Sequence, residues 1–202
     1  MINKIYPKTY IFDLDKTLII NDSFKGFVIF LLKKKIRTLF ILPELLRLYL
    51  IFLLNKNNRN ACKFLFIKKL IRQFTSNEIK KISKYYAENI LNKYFNLKML
   101  KVLKRAKKNG HDVYIATASI DLYCLPLAQK IGAKLIATEI SLEKKTYGEI
   151  IGKNCYGVEK KKKVLKEIKN FDKRYTVFFT DCISDLPLMK ICNKSFCVKF
   201  NI

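Results

Sequence analysis

Two carboxylates one residue apart, Asp13 and Asp15, follow directly on the apolar residues Tyr10, Ile11 and Phe12, and Thr17 comes two places later. A short apolar run of this kind reads as a buried β-strand. Alternation along an extended backbone puts both carboxylates on one side, at the strand's carboxyl end, where open α/β sheets hold their ligands. Like charges that close cost free energy unless a cation or a proton relieves them. Asp-x-Asp-x-Thr at a strand end is therefore a candidate Mg²⁺ and phosphate site, to be weighed against the plainer reading of a turn or a helix cap.

Two later strand ends suit the same chemistry. Thr117 and Ser119 close a strand over residues 113–116, and Asp181 with Asp185 close one over residues 176–179. A hard cation wants oxygen ligands, which Asp13, Asp181 and Asp185 can provide in six-coordinate geometry completed by phosphate and water. Thr117 or Ser119 can donate a hydroxyl hydrogen bond to a phosphate oxygen, supported by backbone N–H groups at the start of the next helix. Lys160, Lys161, Lys162 and Lys163 begin a helix after Gly157, and at least one can reach the same face to balance its charge. Taken singly, a lysine run is a solvated helix face and an Asp pair a cap; in this order, each after an apolar strand, they form one constellation. His111, alone in the turn before the second strand, reads as a surface residue rather than a general base.

The elements that must hold these groups divide the chain. After Leu18 come apolar stretches with basic interruptions: residues 27–32, then Lys33, Lys34, Lys35 and Arg37, then residues 39–42, Pro43, and 45–54 broken only by Arg47. No uncharged run reaches the roughly 18 residues that cross a bilayer. Apolar helices with cations between them fit a buried helical subdomain or a surface that dips into anionic lipid. Residues 55–60 are a polar break, residues 61–74 a helix, and Thr75 or Ser76 followed by Glu78 a helix start. An amphipathic helix spans residues 95–108 and ends at Asn109 and Gly110. Strands then alternate with helices: strand 113–116, helix 121–131, strand 134–137, a weakly alternating ribbon or loop over 138–152, helix 160–170, strand 176–179, helix 185–192 and a last strand over 196–200. That order predicts an α/β fold, a Rossmann-like and mostly parallel sheet with right-handed crossovers. The core is expected from residues 1–18 and 95–202, with an inserted all-helical cap from residues 19–94.

The 202 residues suffice for one substantial core. Forty-one Lys and Arg against 16 Asp and Glu give a net charge of +25, which favours anionic partners: phosphorylated metabolites, anionic lipid headgroups or nucleic acid. Nucleic acid is the weakest of these, because the lysines lack interleaved aromatics and a recognition motif. The six cysteines form no CxxC pair, so neither a zinc site nor a disulfide framework is expected. Residues 1–9 lack the apolar segment of a signal peptide, and a cytoplasmic location, with peripheral contact to an anionic membrane as the variant, is expected.

These motifs resemble the haloacid-dehalogenase-like (HAD) phosphatase superfamily, and within it the phosphoserine-phosphatase-like subfamily IB with a helical cap after the first strand. The run from Phe12 to Ile19 resembles the first motif, with Lys16 where glycine is commoner. Ile115 to Ser119 resembles the second, Thr117 falling at its hydroxyl position. Gly152 to Lys160 resembles the approach to the third motif's lysine, which singles out Lys160, with Lys161 next. Thr180 to Leu188 resembles the fourth, Thr180 standing where glycine is commoner. The resemblance implies two-step phosphoryl transfer. Asp13 is the nucleophile and Asp15 the general acid and base, while Thr117, Ser119 and Lys160 face the phosphate. Mg²⁺ is held by Asp13, the backbone carbonyl of Asp15, Asp181 and Asp185. The implied substrate is a phosphorylated small molecule or a lysolipid-like phosphate, with phosphoserine as the alternative. A protein that keeps the fold only to bind membrane or nucleic acid is the competing class.

Overall fold

The computed structural model describes residues 8–35, 37–54 and 59–198. Six strands form one sheet in the order β4-β3-β2-β1-β5-β6. They are β1 (Thr9–Phe12), β2 (Asp112–Ile120), β3 (Lys134–Ile140), β4 (Ile150–Ile151), β5 (Thr176–Thr180) and β6 (Lys194–Cys197). All neighbours run parallel except β4, which pairs antiparallel with β3. The expected α/β fold is thus observed, with the weakly alternating 138–152 stretch supplying the antiparallel edge.

Strand alternation separates the two faces of the sheet. Phe12, Val113 and Ile115 point to the side covered by α6 (Leu97–Lys108) and α7 (Asp121–Ile131), through Leu103, Ala106, Tyr123 and Leu127. Ile11, Tyr114, Ala116 and Phe178 point to the other, covered by α8 (Val158–Glu167) and α9 (Leu186–Met189) through Val164 and Leu188. Burial on both faces is what a parallel sheet requires. β1 lies between β2 and β5, the point where the strand order reverses, so a crevice opens at its carboxyl end.

Helices fill the chain between β1 and α6: α1 (Ser23–Leu32), α2 (Arg37–Phe40), α3 (Leu42–Leu54), α4 (Arg59–Ile71) and α5 (Ser76–Tyr85), then a π turn (Tyr86–Ile90) and a 3₁₀ turn (Leu91–Tyr94). The segments entering and leaving this run lie side by side. Ile20 N–H donates to Tyr94 O at 2.9 Å, and Asn96 N–H to Leu18 O at 2.8 Å. Asn96 also caps α6 and donates from Nδ2 to Thr17 O, so one side chain ties the first turn after β1 to the return into the sheet. The helices share one apolar cluster with the α6–α7 face, in which Leu31, Ile67, Leu70 and Ile79 join Phe12 and Tyr123. No helix among the described residues is long and apolar enough to cross a membrane.

Several boundaries differ from the sequence expectation. β2 does not stop at residue 116 but continues to Ile120 through a register shift: Ala116 pairs with Ile136, and Ile120 with Thr138. Four steps along β2 thus oppose two along β3, and the surplus is a bulge carrying Thr117, Ala118 and Ser119. β3 likewise runs on to Ile140. α8 starts earlier, at Val158, and ends at Glu167, while the last helix shrinks to Leu186–Met189. β6 occupies Lys194–Cys197, earlier than expected. Residues 55–58 of the expected polar break and 199–200 of the expected last strand lie outside the described residues.

Candidate active site

The elements bring their ends to one place. Asp13 leaves β1 with its N–H donated to Phe179 O at 2.8 Å, so pairing with β5 continues one step past the strand and fixes the carboxylate over the sheet edge. Lys160, in the first turn of α8, is buried and reaches back across the same edge. Its Nζ donates to Asp13 Oδ1 at 2.9 Å and to Asp185 Oδ2 at 2.8 Å. Thr180 Oγ1 donates to the same Asp185 oxygen at 2.7 Å. Asp185 Oδ1, in a residue only 1% exposed, has no partner.

Asp15 sits in a second network. Ser23 N–H, at the start of α1, donates to its Oδ1, and Ser119 Oγ donates to its Oδ2 at 2.6 Å. The hydroxyls of Ser119 and Tyr123 each lie 3.2 Å from Ser23 Oγ, and Tyr86 donates to Ser23 O at 2.8 Å. Ser119 N–H donates to Thr117 Oγ1 at 3.0 Å, which folds the β2 bulge inward. Lys63 on α4 points its ammonium at this bulge, 3.5 Å from Ala118 O and 4.3 Å from the centre of the Phe24 ring.

The electrostatics follow from burial and pairing. Burial pushes the Asp13 carboxyl up to about 7, with Asp185 and Asp15 adding to the rise and Lys160 opposing it. Burial also raises Asp15, against the hydrogen bonds from Ser119 and Ser23. Lys160 is penalised by burial, yet Asp13 and Asp185 outweigh that and hold it firmly protonated. Burial lowers Lys63, with Asp15 and Asp22 pulling it back up. Asp181, half-buried, is raised by burial and eased by Lys16.

The structure therefore brings together Asp13, Lys160 and Asp185 by direct contact, and Asp15 with Ser119 by another. Ser119, expected on a phosphate, donates its hydroxyl to Asp15. Thr17 is buried and its hydroxyl has no partner, while its backbone joins Asn96. Among the described residues no three His, Cys, Asp or Glu side chains stand grouped to hold a metal ion; Lys160 occupies the space between two of the expected ligands. The donor set still fits a hard divalent cation: it is all oxygen, and Asp185 Oδ1 is a buried carboxylate oxygen with an unused lone pair. Sequence reading missed Ser23, Tyr123 and Lys63. The apolar spacing of α4 marked its helix, but nothing local marked which lysine turns inward.

Against known proteins, the family described as haloacid dehalogenase-like hydrolase matches residues 10–190. Protein CicA of Caulobacter vibrioides is 26% identical over 191 residues, covering 93% of this chain and 84% of that protein. Among solved structures, a Bordetella pertussis protein of unknown function superposes with a TM-score of 0.77 at 15% identity, over 94% of this chain and 89% of that one. A substrate-bound phosphoserine phosphatase gives 0.59 at 17% identity, over 96% and 87%. At such identities these structures speak to fold alone.

Proposed function

The chain belongs to the haloacid dehalogenase-like hydrolases, and on that premise we propose that it is a Mg²⁺-dependent phosphomonoester hydrolase working through an aspartyl-phosphate, with residues 19–94 as its cap. The observation that carries the reading is the Lys160 ammonium set between the Asp13 and Asp185 carboxylates at the strand ends. It tethers the nucleophile's oxygen and balances charge where a dianionic phosphate must approach.

In the first step an Asp13 oxygen attacks phosphorus in line, forming the new P–O bond as the ester P–O bond breaks. The leaving alkoxide takes its proton from Asp15, whose burial-raised carboxyl suits it to an acid's part. In the second step Asp15 accepts a proton from water, whose oxygen attacks phosphorus and returns Asp13 as a carboxylate with release of inorganic phosphate. Ser119 and Ser23 orient Asp15 through both of its oxygens, and Thr117 and Lys160 face the phosphate. Asp13, Asp181, Asp185 and the Asp15 carbonyl would hold Mg²⁺, which supplies charge neutralisation and orientation of the phosphoryl group.

One observation favours an amino-acid phosphate such as phosphoserine among substrates. Asp22 caps α1 beside Ser23, whose N–H holds Asp15, and Lys63 points its ammonium at the bulge that carries Ser119, an anion and a cation for a zwitterionic leaving group. A lipid-like phosphate is the other substrate class. The test is p-nitrophenyl phosphate hydrolysis with and without Mg²⁺, followed by a panel of amino-acid, sugar, nucleotide and lysophospholipid phosphates. Turnover that needs Mg²⁺ and falls by about a thousandfold or more in Asp13→Asn is the expected result. Absence of metal-dependent turnover across the panel would sink the reading.

A further inference from the structure

α3 is apolar on both its inner and its outer side. Its sequence, LPELLRLYLIFLL, holds two charged residues in 13. Leu45 is buried and Leu48 half-buried, the inward side that docks against its helical neighbours. At 100° per residue, Leu42, Leu46, Tyr49, Leu50 and Leu54 fall on a different stripe about 140° wide. All five are exposed, Leu54 at 85%, and Phe40 at the end of α2 adds another ring at 81%. A water-facing helix surface carries polar residues; one apolar all round belongs in a core or an apolar phase.

The charges around this stripe are basic but for one. Glu44, the one acid on α3, is paired with Lys69 of α4. Arg47 is exposed at the stripe's edge, and Lys33 and Lys34 are exposed just before α2. The whole chain carries +25. A second copy would bring the same charge against the same face, so self-association is opposed by the field that attracts an anionic layer. Apolar side chains bordered by cations match a leaflet of anionic lipid, with the acyl region taking the stripe and the headgroups the cations.

We infer that α3, with the end of α2, is a monotopic docking face that lies in the plane of an anionic membrane surface. α3 packs on α4, and α4 carries Lys63 to the β2 bulge, so one helix links the docking face to the candidate site. This holds whatever the substrate is.

The chain has no tryptophan, so Leu50→Trp places a single reporter on the face, and Leu165→Trp on α8 places one on the opposite side of the sheet. The full chain is floated with vesicles of phosphatidylcholine alone or with about a third phosphatidylglycerol, at low and high salt. We expect recovery with the anionic vesicles about tenfold higher than with neutral ones and reduced by salt. The Leu50→Trp emission should shift to the blue on binding while Leu165→Trp stays fixed. The double variant Leu46→Glu, Leu50→Glu should lose about tenfold in recovery, with its circular dichroism and thermal midpoint kept. The inference is overturned by absence of flotation at low salt, by equal recovery with neutral vesicles, or by an unshifted Leu50→Trp in floated protein. Unchanged recovery of the double variant, or a dimer that this variant dissolves in a protein that ignores vesicles, overturns it as well.

Discussion

Lys16 stands between the proposed acid and Thr17 with φ at 53°, the one non-glycine residue among those described that takes the left-handed region. The turn it makes returns the chain so that Ile19 N–H reaches Leu14 O at 2.9 Å. A side chain there costs about 1 kcal/mol that glycine does not. In exchange the ammonium's charge, after the hydrogen bond from Asp181's own backbone N–H, helps draw the Asp181 carboxyl down against burial. Lys16→Gly is therefore expected to raise stability by about 0.5–1 kcal/mol, read as a higher denaturant midpoint at unchanged m. A lower midpoint would mean that the attraction to Asp181 outweighs the backbone strain. At this scale the sequence was informative where chemistry is local. Asp13, Asp15, Lys160 and Asp185 stood out by type and by position after a strand. Ser23 did not, because its value lies in contacts with Ser119 and Tyr123, 96 and 100 residues away, which no local pattern encodes.

The capping box of α5 shows an element whose sequence signal and structure agree. Thr75 Oγ1 accepts from Glu78 N–H, and the Glu78 carboxylate accepts from Thr75 N–H; Thr75→Ala should cost about 1 kcal/mol in thermal or denaturant unfolding. Lys35 donates to the same carboxylate and, with Thr75 N–H, lowers it from 4.5 to about 2. A depressed carboxyl stabilises the fold above its unfolded value and loses that contribution as pH falls through the folded one. Melting temperatures of the wild type should therefore fall more steeply than those of Glu78→Gln between pH 4.5 and about 2. Equal slopes would show that the box is already open. The bulge of β2 was not legible, because Thr117 to Ile120 continue an apolar and small-residue run with no glycine or proline to mark it. Its existence is decided by where β3 offers partners.

Over the whole molecule, 41 basic against 16 acidic side chains leave a field that the surface pairs, such as Lys134 with Asp112, do not neutralise. Raising salt shortens the screening length from about 30 Å at 10 mM to about 8 Å at 150 mM. Self-repulsion then weakens more than exposed pairs do. The thermal midpoint is expected to rise across that interval in a potassium chloride series; a fall would assign the larger role to the pairs. The α/β class was readable at this scale because strand and helix periods alternate. Which face each helix covers was not, since that follows from pairing order.

That order has a consequence for how the protein is made. β1 is synthesised first, yet both of its neighbours come late: Thr9 pairs with Asp112 on one side and with Thr176 on the other. At translation rates of about 5–20 residues per second, roughly 8–33 seconds separate the appearance of β1 from that of β5. Until β2 emerges, about 100 residues after β1, the first strand has no sheet to enter, and the helices that follow it are the material available to shield it. Asp13 meets Lys160 and Asp185 only after those later residues have been made, so nascent chains interrupted before Lys160 carry the first carboxylates without the lysine that holds them.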